Sequence, residues 1–210
     1  TVFDEKISTY PGQWHFISDR KQLTKNAVQK INPSIIFFLH WSYKVPNSII
    51  INYECVNFHM TDLPYGKGGS PLQNLIAQGK TKTKLTAHKM TSKFDSGPIY
   101  LKKPLSLCGG AEEIFIKAAY ISAEMIRVII TKKIKPTKQI GRETVLKRRK
   151  PEESEIPICK NIDELFDFIR MLDADGYPKA FLLYKGYKFE FSRSSRYHKK
   201  IATDATITKL

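Results

Sequence analysis

Asn57 and His59 stand two residues apart at the end of the run "CVNFH" (55–59), and Asp95 opens an Asp-Ser-Gly turn some thirty-five residues further on. Side chains alternate along an extended strand, so the amide of Asn57 and the imidazole of His59 share one face. Val56 and Phe58 take the other. An amide can hold an oxyanion, an imidazole can take a proton from an amine, and a carboxylate can orient that imidazole. Those are the parts of an acyl-transfer site. By itself Asn-x-His is a weak signal, because a core histidine capped by a nearby carboxylate reads the same way.

The elements around these residues alternate between strand and helix. "WHFIS" (14–18) reads as a strand, and Asp19 then caps a helix running to about Ile31, with Gln22 completing the box. Asn32-Pro33 ends it. "SIIFFL" (34–39) is a continuous apolar strand, as befits a buried position. "CVNFH" is the next strand. Ser70-Pro71 opens a helix with Gln73 at the box position and Gly79 as its stop. Strands follow at 82–90 and 97–107, then a long helix over about 111–131. These βα units predict an α/β fold with a mostly parallel, open, Rossmann-like sheet. In such a sheet, ligands bind at the carboxyl ends of strands, where Asn57, His59, Asp95 and the loop "HWSYKVP" all fall.

Past residue 131 the composition shifts. "KKIKPTKQIGRETVLKRRK" (132–150) is strongly basic and reads as the core of a linker over 132–160, leaving 1–131 as the catalytic domain. Asn161 caps a last helix with Glu164 at the box position, and "AFLLYKGYKFEF" (180–191) reads as a hairpin turning at Lys185-Gly186. Residues 161–210 are thus expected to be a small helix-plus-hairpin appendage with a frayed tail after Ser192. The exposed hairpin edge could pair with a second copy to give a homodimer.

The 210 residues carry a net charge of +15, which favours anionic partners without choosing among phosphates, nucleotides, nucleic acid and polyglutamylated cofactors. Cys55, Cys108 and Cys159 are widely spaced, neither a disulfide framework nor a zinc signature, and no histidine, cysteine and carboxylate pattern suggests a metal. No run reaches the ~20 apolar residues of a membrane span, and no leader pattern is visible. A cytoplasmic chain without membrane partners is the expectation.

The wider pattern narrows the chemistry. "NFH…DLPYGKGGSPLQNLI…TKLTAHKM…DSGPI" resembles the catalytic domain of the folate-dependent formyltransferases, from about Ile35 to Leu107, with weaker likeness through "RRKPEES" (148–154). The resemblance implies transfer of a formyl group from 10-formyltetrahydrofolate to a primary amine. Asn57 would hold the formyl oxygen, His59 would accept the amine proton, and Asp95 would orient the imidazole. Trp41, Ser42, Tyr43, Lys44 and Val45, with Met90 and Phe94, would border the folate, although Ser-Tyr-Lys-Val stands where many relatives have Arg-Ile-Leu.

For the acceptor, the same resemblance points to the sugar enzymes of the family. "FDFIRMLDADGYPKAFL" (166–182) resembles the C-terminal piece of nucleotide-sugar N-formyltransferases, and "DLPYGKGGSPLQNLI" is the loop form common in that subgroup. A nucleotide-linked amino sugar, destined for cell-surface polysaccharide such as O-antigen, is the expected acceptor. Lys67, Gly68, Arg148, Arg149 and Tyr177 would be its contacts, and nucleic acid is not expected as a partner. Methionyl-tRNA or another amine is the alternative within the same chemistry. A non-catalytic nucleic-acid-binding module is the remote one, and no stacking-aromatic motif among the basic residues supports it.

Overall fold

The computed structural model describes all 210 residues. They form two compact units that interleave along the sequence. The first holds residues 1–67, 84–104 and 118–145, and the second holds 68–83, 105–117 and 146–210.

The first unit is built on an α/β sheet in the order β1-β2-β4-β5. Strand β1 (Ile36–Phe38) pairs parallel with β2 (Cys55–His59), setting Phe38 opposite Asn57. Strand β4 (Lys82–Lys89) pairs antiparallel with β2 and sets His88 opposite Asn57 and Thr86 opposite His59. Strand β5 (Ile99–Ser106) completes the order. The sheet is therefore mixed, with its parallel pairing at β1–β2.

Around β1 the chain closes on a cluster of Leu23, Val28, Phe38, Val45, Ile49 and Cys55, all buried. Helix α1 (Val2–Glu5) opens the chain, α2 (Lys25–Ile31) precedes β1, and α3 (Asn47–Ile50) precedes β2. Helix α2 starts five residues later than the capping pattern at Asp19 predicts. Asp19 instead closes a local turn, its carboxylate accepting from the Lys21 N–H at 2.9 Å, and Thr24 caps the helix by accepting from Ala27. Asn32 ends it in the left-handed region, φ +48°, sending its N–H to the Val28 carbonyl. The strand expected at 14–18 does not form. Trp14 donates to the Tyr10 carbonyl at 3.0 Å, and Phe16 lies exposed, stacked on Phe3. The run has the residue types of a strand, but no neighbouring backbone supplies a ladder.

In the second unit α4 (Pro71–Ala77) begins at Pro71 as expected, but Ser70 does not cap it. Ser70 sits at φ +47°, and its hydroxyl accepts from the Arg149 N–H at 3.0 Å instead. Asn74 holds that helix start, donating to the carbonyls of Gly69, Ser70 and Lys147. Helix α5 (Ala111–Lys132) starts in this unit and continues as part of the first, buried at Ile114 and Ala118 and again at Met125 and Ile129, as its periodicity predicts. Helix α6 (Ile162–Arg170) is capped by Asn161, whose side chain accepts from the N–H groups of both Asp163 and Glu164.

The chain ends in an antiparallel sheet of β7 (Ala180–Tyr184), β8 (Tyr187–Arg196) and β9 (Ile201–Lys209). Lys185 and Gly186 turn the first hairpin with φ +47° and +79°, the left-handed pair that a two-residue connection needs. The tail is not frayed. It returns as β9 along the whole of β8, so the appendage is a three-stranded sheet. The stretch after α5 is likewise ordered. Thr137 and Ile99 exchange both backbone hydrogen bonds, and β6 (Val145–Leu146) pairs with β3 (Lys67–Gly68).

Candidate active site

Strand β2 delivers Asn57 and His59 to one face, and β4 brings His88 to the same place through its register opposite Asn57. The turn between β4 and β5 adds Asp95. Its backbone is left-handed at φ +48°, a region sparsely used by residues other than glycine. Two residues on, a side chain at Gly97 would place its Cβ 1.8 Å from the Lys89 carbonyl oxygen, so only glycine lets the turn lie this close to β4.

Four polar groups meet there. The Asp95 carboxylate, 11% exposed, lies 3.7 Å from His59 Nδ1 and 3.4 Å from His88 Nε2. The Asn57 amide nitrogen is 3.4 Å from the same His88 nitrogen. His59 Nε2 lies 2.7 Å from the Gly66 carbonyl, which only accepts, so that nitrogen carries the proton and the Nδ1 lone pair is left facing Asp95. His88 Nδ1 likewise faces a carbonyl, that of Lys89 at 3.0 Å. That arrangement leaves His88 Nε2 to accept from Asn57, and one hydrogen of the Asn57 amide stays available.

Burial pushes the His59 pKa below its ordinary value of 6.5, an effect that the Asp95 charge and the Gly66 carbonyl only partly offset. The imidazole is therefore neutral at pH 7, with a basic lone pair beside a carboxylate. A proton arriving at Nδ1 would form an imidazolium stabilised by Asp95. His88 was not singled out by the sequence reading. The only sequence signal for it is a second histidine on the strand that leads into the Asp turn, and its importance comes from the strand register.

The other expected contacts fall into two groups. On the loop after β1, Val45 is buried in the apolar cluster, and Trp41 and Met90 pack partly against it. The Trp41 indole N–H is buried without a partner. Ser42 and Lys44 are exposed, Tyr43 is about half exposed with the Arg20 guanidinium 4.8 Å from its ring centre, and Phe94 is 70% exposed. Lys67 is buried, with its ammonium committed to Glu143 at 2.6 Å and Ser96 at 3.1 Å. Gly68, Arg148, Arg149 and Tyr177 belong to the second unit. There Arg149 reaches the Glu153 carbonyl and the Phe168 ring, and Tyr177 packs on Phe115.

A cavity of about 730 Å³ lies in the first unit between the N-terminal segment, β1 and the α5 residues Ala119, Ile126 and Ile130. Trp41 lines it, but none of the four polar groups does, so it is not where the chemistry would occur. No group of three or more histidine, cysteine or acidic side chains is arranged to hold a metal ion. No helix is long and apolar enough to cross a membrane.

Comparison with known proteins fits this geometry to a family. The structure of methionyl-tRNA formyltransferase from Clostridium thermocellum superposes with a TM-score of 0.93 at 46% identity, covering 99% of this chain and 91% of that one. Methionyl-tRNA formyltransferase from Rickettsia prowazekii (strain Madrid E) is 34% identical over 111 residues. That match spans 51% of this chain and 37% of the Rickettsia protein, well under half its length. Residues 151–208 match the family model described as the C-terminal domain of methionyl-tRNA formyltransferase. A sugar N-formyltransferase from a Shewanella species shares the fold at a TM-score of 0.65, but at only 15% identity.

These findings correct the sequence reading of the acceptor. The stretch 166–182 that resembles the sugar enzymes lies within the matched methionyl-tRNA formyltransferase domain, and the full-length match is to that enzyme. A nucleotide-linked amino sugar as partner and a place in O-antigen synthesis are withdrawn with it, as is the expectation that nucleic acid plays no part. Likeness in that stretch did not choose between acceptors, because it falls in a domain that the methionyl-tRNA enzymes carry as well. The chain belongs to the formyltransferase family.

Proposed function

We propose that this chain transfers a formyl group from 10-formyltetrahydrofolate to the amino group of methionyl-tRNA. One observation carries the reading: Asn57, His59, His88 and Asp95 converge in a chain that is 46% identical, over 99% of its length, to a methionyl-tRNA formyltransferase. When bound, the folate supplies the activated formyl carbon. The free hydrogen of the Asn57 amide donates to the formyl oxygen as it gains negative charge, and the surrounding burial strengthens that bond. His59 takes the proton of the attacking amine at Nδ1. Asp95 stabilises the resulting imidazolium and, with His88 on its other side, relays a proton toward the departing nitrogen. His88 keeps Asn57 in register by accepting from its second amide hydrogen.

Residues on the loop after β1 and on the turn between β4 and β5 fit a flat, polar-edged pterin. Trp41 offers a buried N–H with no protein partner, and Tyr43 and Phe94 offer exposed ring faces. The net charge of +15 suits a polyanionic acceptor, since phosphate neutralisation dominates nucleic-acid affinity. Free thiols at Cys55, Cys108 and Cys159 suit a cytoplasmic location.

The test is a formylation assay with purified chain, methionyl-tRNA and 10-formyltetrahydrofolate, read as formylmethionine released from the tRNA. Product that vanishes with Asn57→Ala supports the proposal. Formylation of a nucleotide-linked amino sugar with none of methionyl-tRNA would overturn the acceptor, and no turnover of either would overturn the activity.

A further inference from the structure

The stretch between α5 and β6 reads in the sequence as a charged linker, yet its side chains reach the two loops that carry the candidate site. Gln139 donates from Nε2 to the Asp95 carbonyl at 2.8 Å and to the Gly97 carbonyl at 2.9 Å. Both partners accept only, so the amide nitrogen has to face them. Its Oε1 is buried without a partner. A half-buried amide that leaves its own buried oxygen unsatisfied while spending both hydrogens on one turn is unusual for plain surface packing.

The same segment touches the site at two more points. Glu143 Oε1 accepts from Lys67 Nζ at 2.6 Å, and Lys67 donates in turn to Ser96 Oγ at 3.1 Å. Thr144 Oγ1 accepts from the Gly66 N–H at 2.7 Å, and the Gly66 carbonyl is the one that fixes His59 Nε2. The segment is anchored to β5 by the paired bonds between Thr137 and Ile99. Asp95, Ser96 and Gly97 are thus each held, directly or through one side chain, by residues 139–143. The turn needs such support because Asp95 is left-handed.

We propose that Gln139 is a positioning residue for Asp95: by gripping the carbonyls on either side of Ser96, it aims the carboxylate between His59 and His88. This rests on the formyl-transfer reading for its kinetic consequence, but not for its geometry. The charged and titratable groups facing His59 are Asp95 from the turn and His88 from β4, with Lys67 of β3 held against the same turn through Ser96. Of these, Asp95 is the one that raises the affinity of His59 for a proton. Releasing the turn therefore lowers the pH at which His59 titrates.

The experiment compares the parent with Gln139→Met, which keeps length but removes the donor, and with Gln139→Ala. Two measurements are made: formylation kinetics across pH, and titration of the His59 imidazole by NMR without donor or acceptor. We expect kcat to fall about tenfold with KM for both substrates within about twofold, since misplacing a catalytic group costs turnover more than binding. The acid limb of the profile and the NMR titration should both move to lower pH. A variant that folds, keeps the parent's His59 titration and keeps its kcat overturns the proposal. So does a lowered melting temperature with titration and pH profile unmoved, which would mark Gln139 as structural only. If the parent does not formylate methionyl-tRNA yet Gln139→Met still lowers the His59 titration, positioning stands and the reaction reading falls.

Discussion

The β2–β4 strand pair and the sheet β7–β9 use the same alternation for opposite purposes. On β2 and β4 the residues that would face water in an ordinary antiparallel pair are His59, Thr86 and His88, and all three are buried. Each has found a partner there: Gly66 for His59, the Thr61 carbonyl for Thr86, and Asn57 for His88. On β9, by contrast, most positions are exposed, including Ile207 at 58%. From Ala180 onward the chain carries seven Lys and Arg against two acids, Glu190 and Asp204. Burying polar groups is costly unless each is satisfied, so a buried polar cluster marks a place where geometry is held for a purpose. An exposed basic sheet holds little geometry but offers charge to a large anion.

That contrast predicts effects on turnover in the first place and on acceptor affinity in the second. Asn57→Ala and His59→Ala should each lower kcat by about 10²–10³, the usual cost of losing an oxyanion donor or base, with the melting temperature near the parent's. Parent-like turnover in either variant would remove that residue from its assigned step. His88→Ala, which unfastens the Asn57 amide without touching the reacting atoms, should cost about 10- to 100-fold in kcat, and steady-state rates at saturating substrate would show it.

A smaller effect is expected from pH. Since burial holds the folded pKa of His59 below 6.5, the acid limb of kcat/KM should have its midpoint below that value. The same shift bears on stability. Between the folded and unfolded pKa values the unfolded chain binds more protons, so stability should decline as pH falls below about 6.5. Urea titrations at pH 7 and pH 5 would show the drop, and a His59→Gln variant should lose that part of it.

Smallest of all is the change expected on the basic sheet. Lys199 and Lys200 are exposed in the β8–β9 turn. Charge reversal at both should raise KM for methionyl-tRNA about three- to tenfold at low salt and leave kcat unchanged. The dependence of log KM on log salt should become shallower by about one to two. A fall in kcat instead would mean that the two regions do not divide the work in this way.

Much of the site was legible because it rests on local rules. "CVNFH" reads as a strand that ends in two same-face polar groups, and the structure begins and ends β2 at those residues. The long helix and the Asn161 cap were readable for the same reason, since periodicity and capping are short-range. His88 was not readable, because it matters only through its register opposite Asn57. Gln139 was hidden by the charge around it, and its contacts span more than forty residues. The strand expected at 14–18 failed for want of a neighbour, and β9 was missed because a polar, basic tail becomes a strand only when β8 supplies a ladder.

By itself the sequence marked Asn57, His59 and Asp95 as candidates for chemistry and located most of the helices and strands, because side-chain type and spacing act over a few residues. The tertiary structure decided how those residues are fastened. It placed a second histidine beside Asp95, turned an apparent linker into a support for the turn, and completed a third strand at the chain's end. These depend on the register of β2 against β4, on side-chain bonds from Gln139 to a turn more than forty residues earlier, and on β8 supplying a ladder to β9, none of which a local pattern encodes.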